Sequence, residues 1–386
     1  MRKEANTPVR VLLVGSLPPP YGGIPTYVRD LSQADIPGVK LRVFNTAFPE
    51  AVAPFNRIGS LYLDSLRHNG LWVTAKMVVY VLWSYSRLAR VILTWRPHIV
   101  QAFPSSDWGY WRNWLYLILA KALGCRTIFH LLNAIDLFYA RVGVLQRWLL
   151  RQSFSTADVY IVQSDGLKSW LEQHCSRRCY GFLNGLHLDR IPARGPVPKD
   201  MRSLPGPVGV TIGPLGKHKG TPQIMEALKK LNGEGTPVGW LFIGRGDVED
   251  YKRRAEALGL ARQVVFTGPV DDDRKWSYLN NADFYCLPSD AEGQPISILE
   301  AMAVGLPVIA TDVGSIPEII ADGETGLVIP VGDGDALSHA IWELARDAET
   351  RHGMGVAAKR YVQEHHDIRE LHVRLGLVYR ALGSCL

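Results

Sequence analysis

At 386 residues, 47% hydrophobic and 21% charged, the chain is too long for one ordinary core, too apolar for disorder, and of a length that suits two α/β domains. Its formal charge of +6 is uneven: residues 1–200 carry 24 Lys and Arg against 12 Asp and Glu, leaving 19 against 25 for residues 201–386, so the basic half is expected to face an anionic partner. The five cysteines support neither a disulfide framework nor a zinc site, since His174, Cys175 and Cys179 lack a fourth ligand at suitable spacing, and a reducing cytosol fits them best.

The opening stretch MRKEANTPVRVLLVGSLPPP has an apolar core interrupted by Arg10 and no small-residue cleavage pattern, so it reads as a first buried strand, Val9–Gly15, rather than a secretory signal. A proline-rich loop ending in Gly22 and Gly23 leads into a helix from Ile24, and Val39–Asn45 is a second strand. Leu71–Trp95 is helical, with an apolar run broken by Lys76, Ser84, Ser86, Arg87 and Arg90, which does not suit a membrane span. His98–Phe103 is a strand, Trp108–Leu123 a helix, Arg126–Leu132 a strand, Val142–Phe154 a helix, Val159–Gln163 a strand and Leu167–Gln173 a helix. Ile191–Pro207, with five prolines and little apolar periodicity, reads as a linker between domains at 1–200 and 201–386.

A second alternating series follows: strands at Val208–Gly213, Gly239–Ile243, Val264–Phe266, Asp283–Pro288, Val308–Thr311 and Leu327–Ile329, with helices at Pro222–Leu231, Val248–Leu258, Arg274–Asn280, from Pro295, and at Ala336–Arg346. The final helix is free to pack back on the first domain. Alternation of this kind predicts two parallel, doubly wound sheets covered on both faces.

The most informative stretch is SDAEGQPISILEAMAVGLPVIATDVGSIPEII, Ser289–Ile320. A polar loop after a strand runs into a helix opened by Pro295, with Ile296, Leu299, Met302 and Ala303 at helical spacing, which sets free amides and a positive helix end at a strand tip, a site for phosphate. Glu292 precedes that helix end and Glu300 lies inside it. This block resembles the E-x7-E signature of family 4 glycosyltransferases, retaining enzymes of the GT-B fold, in which two Rossmann-like domains face a cleft. The resemblance covers most of the chain, strongly in 208–330. The loop IGPLGKHKG, Ile212–Gly220, is similar to the family's Gly-Arg-Leu-x-x-x-Lys-Gly element, with Lys219 on the family lysine and Pro214 where the family has arginine.

The resemblance implies donor contacts from Gly22, Gly23, Gly213, Lys217, Lys219, Gly244, Arg245, Gly293, Gln294, Pro295, Ile296 and Glu300. Glu300 would hold ribose hydroxyls, Glu292 would lie near the donor sugar, and Lys217 or Arg245 would replace the missing arginine. His130, at the end of the strand TIFH, matches the family's active-site histidine, or alternatively caps that strand. The implied reaction is retaining transfer of a sugar from a nucleotide diphosphate sugar, the donor substrate, to a lipid-linked or growing glycan acceptor, with no cofactor and no metal. Two rivals remain at this stage: a non-catalytic nucleotide-sugar-binding subunit and a GT-B epimerase. The residues Trp72, Tyr80, Trp83, Tyr85, Arg87, Arg90, Trp95, Arg96, Trp108, Tyr110, Trp111, Arg112 and Trp114 combine ring and cation, either as helix packing or as an interfacial surface for anionic membrane. Nucleic acid is not indicated. The expected location is cytoplasmic, with a peripheral position on the inner face of the cytoplasmic membrane if the interfacial reading holds.

Overall fold

The computed structural model describes residues 7–18, 23–47, 70–105 and 108–384, with side chains left aside at 70–78. The chain forms two compact units, 1–183 with 370–386, and 184–369. The first is built on β1 (Val9–Gly15), β2 (Val39–Asn45), β3 (Ile99–Ala102), β4 (Arg126–Leu131), β5 (Val159–Val162) and β6 (Arg178–Gly181) in the order β2-β1-β3-β4-β5-β6, every neighbouring pair parallel. Its helices are α1 (Gly23–Ser32), α2 (Gly70–Trp95), α3 (Trp108–Ala122), α4 (Ile135–Arg141), α5 (Val144–Ser153) and α6 (Asp165–Glu172).

Strands in such a sheet are buried on both faces, and their side chains alternate. Leu12, Val14, Val100, Phe129, Leu131 and Tyr160 point into one core with Leu88, Tyr110, Tyr116 and Leu150 from α2, α3 and α5. Val11, Leu13, Ile99, Ile128, Val159 and Ile161 point into the other, beside Tyr27 and Val28 of α1. The helix Ile368–Gly383 adds Leu371, Leu375, Val378 and Tyr379 to that second core.

In the second unit β7 (Val208–Ile212), β8 (Gly239–Ile243), β9 (Val264–Gly268), β10 (Phe284–Leu287), β11 (Val308–Thr311) and β12 (Gly326–Ile329) are ordered β12-β11-β10-β7-β8-β9, again all parallel. The helices are α7 (Thr221–Gly233), α8 (Val248–Ala257), α9 (Asp272–Asn281), α10 (Ile296–Ala303), α11 (Ile316–Ile319), α12 (Gly334–Arg346) and α13 (Ala348–His365). The last helix, α14 (Ile368–Gly383), belongs to the first unit from Glu370 onward, where Leu371, Leu375, Val378 and Tyr379 fill the second core. Two parallel doubly wound sheets are the architecture that the resemblance implied.

The proline-rich segment read as a linker is held to the second unit. The carbonyl of Pro192 accepts from Asn280 Nδ2 at 3.1 Å, that of Gly195 from Asn281 Nδ2 at 3.4 Å, and Asp200 accepts from the Tyr278 hydroxyl. α9 supplies these partners, and the segment lies within the compact unit 184–369. The helix expected at Val142–Phe154 is α5, and a further helix, α4, precedes it, the two separated by Val142 and by Gly143, whose extended backbone starts α5.

The aromatic stretches separate into two groups. Tyr110 and Tyr116 are fully buried, and Tyr85, Trp95, Trp111 and Trp114 pack against the same core, since α2 and α3 cover that sheet face. Arg87 lies over the rings of Trp83 and Phe44, and Arg112 donates to the carbonyl of Thr46. Packing therefore accounts for most of the list; Trp83 and Trp108 keep exposed rings, while the side chain of Trp72 is outside the described residues. Among the described residues no helix is long and apolar enough to cross a membrane.

The Tyr379 hydroxyl donates to Gln101 Oε1 at 2.6 Å, both groups being fully buried. Tyr379→Phe leaves a buried amide oxygen without its donor, which should cost about 1–3 kcal/mol in urea denaturation of the intact chain, whereas Arg380→Ala, at an exposed contact of the same helix with the carbonyl of Pro37, should cost well under 1 kcal/mol.

Candidate active site

β7 and β10 are neighbours at the middle of the second sheet, but the chain continues from β7 toward β8 and from β10 toward β11, in opposite directions. The loops after their carboxyl ends part at this switch point, where open α/β sheets take ligands. The β7 loop turns through a short 3-10 stretch, Lys217–Lys219, and ends at Gly220 with φ +74°. A Cβ there would sit 2.4 Å from Pro288 Cγ and 2.5 Å from the Pro288 carbonyl oxygen, so only glycine lets the two loops pass this closely. The amide of Asp290 donates to the carbonyl of His218 at 3.1 Å, tying them together.

That approach brings Lys219 Nζ onto Glu292 Oε1, which also accepts from the Ser289 hydroxyl at 2.6 Å. From the other side Gly314, at φ +59°, lies against the carbonyls of Glu292 and Gly293, and the amide and hydroxyl of Ser315 donate to the Gly293 carbonyl at 2.9 and 3.0 Å. The E-G-Q-P turn is thus clamped from both flanks. Pro295 is the cap residue of α10, with extended ψ of 112°, rather than its first helical residue. No side chain caps this helix, so its first-turn amides and positive end face the loop.

Glu300, inside α10, pairs with Lys275 of α9 at 2.7 Å, and the same ammonium reaches Asp272 at 3.0 Å and lies 5.1 Å from the Trp276 ring centre. Burial pulls the Lys275 ammonium toward neutrality, but the charge and hydrogen bond of Glu300, with Asp272, outweigh it and leave its pKa above the ordinary value. Gln294 is buried and fixed through Asn184, whose amide donates to Gln294 Oε1 and whose Nδ2 donates to the Gln294 carbonyl at 3.4 Å. Asn184 is itself held by His366, whose Nδ1 donates to its carbonyl at 2.7 Å.

Beside β8, a Cβ on Gly244 would fall 1.9 Å from the Gly213 carbonyl oxygen, and the amide of Leu215 donates to the Arg245 carbonyl at 2.7 Å. Pro214, Lys217 and Arg245 are exposed, whereas Lys219 is half-buried. The fold thus gathers Gly213, Lys217, Lys219, Gly244, Arg245, Glu292, Gly293, Gln294, Pro295, Ile296 and Glu300 along the carboxyl edge of one sheet.

His130 belongs to the first unit. It faces the second core from β4, its ring edge-on to Tyr27 and tilted against Phe103, with centroids 5.2 Å away in both cases. Gln101 Nε2 lies 2.9 Å from His130 Nδ1, and since the Tyr379 hydroxyl fixes the amide oxygen of Gln101, the amide donates and the His130 proton sits on Nε2. Burial pushes the imidazole pKa down to about 3, so the ring is neutral throughout the physiological range. Gly23 starts α1 with open space around it; Gly22 lies outside the described residues.

Sequence reading missed Lys275, Ser315, Asn184, Gln101 and Tyr379, which reach these positions from distant segments and carry no local signal. Ser289 had one, its place three residues before Glu292 in a turn.

The family model for glycosyl transferases group 1 matches residues 203–361. The phosphatidyl-myo-inositol mannosyltransferase of Mycobacterium leprae is 32% identical over 192 residues, 48% of this chain and 50% of that protein. The lipopolysaccharide core biosynthesis mannosyltransferase LpcC of Rhizobium leguminosarum is 31% identical over 244 residues, 61% of this chain and 67% of that protein. The chain spans about half the length of the first of these relatives. Among solved structures, Anabaena Alr3699/HepE in complex with UDP superimposes with a TM-score of 0.69 at 15% identity, covering 96% of this chain and all of that one, a likeness of fold.

The depressed pKa of His130 makes acid stability a direct probe of its burial. Between the unfolded value near 6.5 and the folded value near 3 the unfolded chain binds a proton that the native ring does not, so stability falls as pH falls, by up to about 1.4 kcal/mol per pH unit from this group. His130→Gln should remove close to one proton from the pH slope of urea unfolding between pH 6 and 4.

Proposed function

The chain belongs to the glycosyl transferases group 1 family, and on that premise we propose that it is a retaining glycosyltransferase that moves a sugar from a nucleotide diphosphate sugar to a lipid-linked or growing glycan acceptor. The observation that carries this reading is the meeting of the β7 and β10 loops at the switch point of the sheet. There a half-buried lysine and the uncapped first turn of α10 provide positive charge beside two carboxylates. A diphosphate suits the positive elements, and the hydroxyls of a ribose suit the Glu300 carboxylate as an acceptor.

Transfer with retention builds positive charge on the sugar and negative charge on the departing diphosphate, so Lys219 and the α10 amides would favour the transition state over the ground state. Glu292 already neutralises Lys219, and an arriving diphosphate would share that lysine with it. His130, neutral and with its proton on Nε2, suits hydrogen-bond donation to a hydroxyl rather than acid or base catalysis. The nucleotide diphosphate sugar is the substrate, and no cofactor or metal enters the scheme. The lipid and lipopolysaccharide acceptors named for the relatives, together with the basic first half of the chain, support an acceptor held at a membrane and a peripheral position on the inner face of the cytoplasmic membrane.

The direct test is sugar transfer from a panel of GDP- and UDP-sugars to lipid-linked acceptors. Donor binding without transfer would favour a binding subunit, and conversion of the donor without acceptor an epimerase. Lys219→Ala should weaken donor affinity at least tenfold, about 1.4 kcal/mol, while Lys217→Ala, at an exposed position, should change it less than threefold. Equal effects by calorimetry would remove Lys219 from the diphosphate. Glu300→Gln should lower both donor affinity and thermal stability, because it also strips a partner from buried Lys275, whereas Lys275→Met should lower stability with a smaller loss of affinity. If both variants lose affinity equally, Glu300 acts by holding Lys275 and not on the donor.

A further inference from the structure

Among the described residues of the first unit, exposed apolar side chains include Val79, Leu82, Trp83 and Leu93 of α2, but the two most exposed, Val144 and Leu145, lie on α5, a helix that the aromatic pattern of the sequence did not single out. In α5 the side chains of Val144, Leu145, Trp148 and Leu149 are 86, 73, 57 and 38% exposed. At helical spacing these four share one arc, while Leu150 and Ser153 turn inward and fix the helix to the core. Residues 141–153 contain Arg141, Arg147 and Arg151 and no acidic residue. Arg147 closes the end of α4, donating to the carbonyls of Tyr139, Ala140 and Val142 at 3.2, 3.1 and 3.2 Å, so its charge is held in place beside the apolar arc. Arg141 and Arg151 are exposed, without an ion pair among the described residues.

We infer that α5 is an interfacial helix that seats the first unit on an anionic bilayer, with Val144, Leu145, Trp148 and Leu149 entering the headgroup boundary and Arg141, Arg147 and Arg151 meeting lipid phosphates. The inference rests on the peripheral-membrane part of the proposed function and assigns it to one surface. A helix lying in the interface needs an apolar face, a basic polar flank and an aromatic ring at the boundary, and α5 supplies all three within ten residues. A second copy of the chain fits this surface poorly. Two-fold self-contact would set the arginines of one copy against those of the other, and one short helix offers much less than the roughly 800 Å² per partner of a standard interface.

Flotation of the intact protein with vesicles of phosphatidylglycerol and phosphatidylcholine, against phosphatidylcholine alone, tests the assignment. At low salt the wild type should float with the anionic vesicles, and Leu145→Glu with Trp148→Glu should reduce the floated fraction at least tenfold. Leu82→Glu with Trp83→Glu, on the exposed face of α2, should reduce it less than twofold. Arg141→Gln with Arg151→Gln should flatten the salt dependence. Donor affinity of each variant, measured by thermal shift, should match the wild type, which separates lost docking from lost folding. If the wild type does not float, the membrane reading itself fails. If it floats and the α5 variant floats equally, membrane association stands and α5 is not its anchor. If the wild type is a dimer by light scattering and the α5 variant a monomer that still floats, the helix is a contact between copies and the inference is overturned.

Discussion

The candidate site depends on how closely two backbone loops approach at the switch point of the second sheet. Gly220 passes Pro288, Gly244 passes Gly213, and Gly314 passes the Glu292–Gly293 peptide, each at a separation that a Cβ would violate. These contacts place a lysine from one loop against a glutamate from the next, and they leave the first turn of α10 without a side-chain cap. The chain parts between β7 and β10, and the glycines let the loops that follow these strands lie against each other. Because the cations arrive paired with carboxylates, these half-buried charges are compensated, which limits what their burial costs in stability.

The first unit solves a different problem with the same sheet architecture. Gln101 and His130 occupy strand positions whose alternation turns them into an apolar core, and a polar group there must be bonded. The bonding runs from Tyr379 through Gln101 to His130, so the final helix of the chain determines which nitrogen of the imidazole carries the proton. A histidine in this setting is rigid and neutral. The burial that fixes the ring also lowers its pKa.

The distribution of aromatic residues shows how local composition misleads about surface. The tryptophan-rich stretches of α2 and α3 look interfacial in isolation, yet those helices cover a sheet face, and most of the rings are consumed in packing. α5 has one tryptophan and a plain composition, but only Leu150 and Ser153 are needed to hold it, so its remaining apolar side chains stay in solvent. Which side of a helix is covered is a property of its neighbours.

Hydrophobic periodicity and the placement of glycine and proline were enough to locate nearly every strand of both sheets, because those signals arise from residues close in the chain. The block Ser289–Ile320 likewise revealed its loop and helix start, and with them Glu292 and Glu300, since a strand–turn–helix unit is local. The helix α4 was not legible, since its seven residues are too few to show a helical period. Nor was the attachment of the proline-rich segment to α9, because hydrogen bonds from Asn280 and Asn281 span about ninety positions of sequence. Sequence alone therefore determined the two-sheet architecture and the residues able to carry charge at the strand ends. Only tertiary structure decided that Lys219 meets Glu292, that Lys275 meets Glu300, and that Tyr379 sets the tautomer of His130, because each is a pairing of distant segments whose geometry exists only after the sheets have formed.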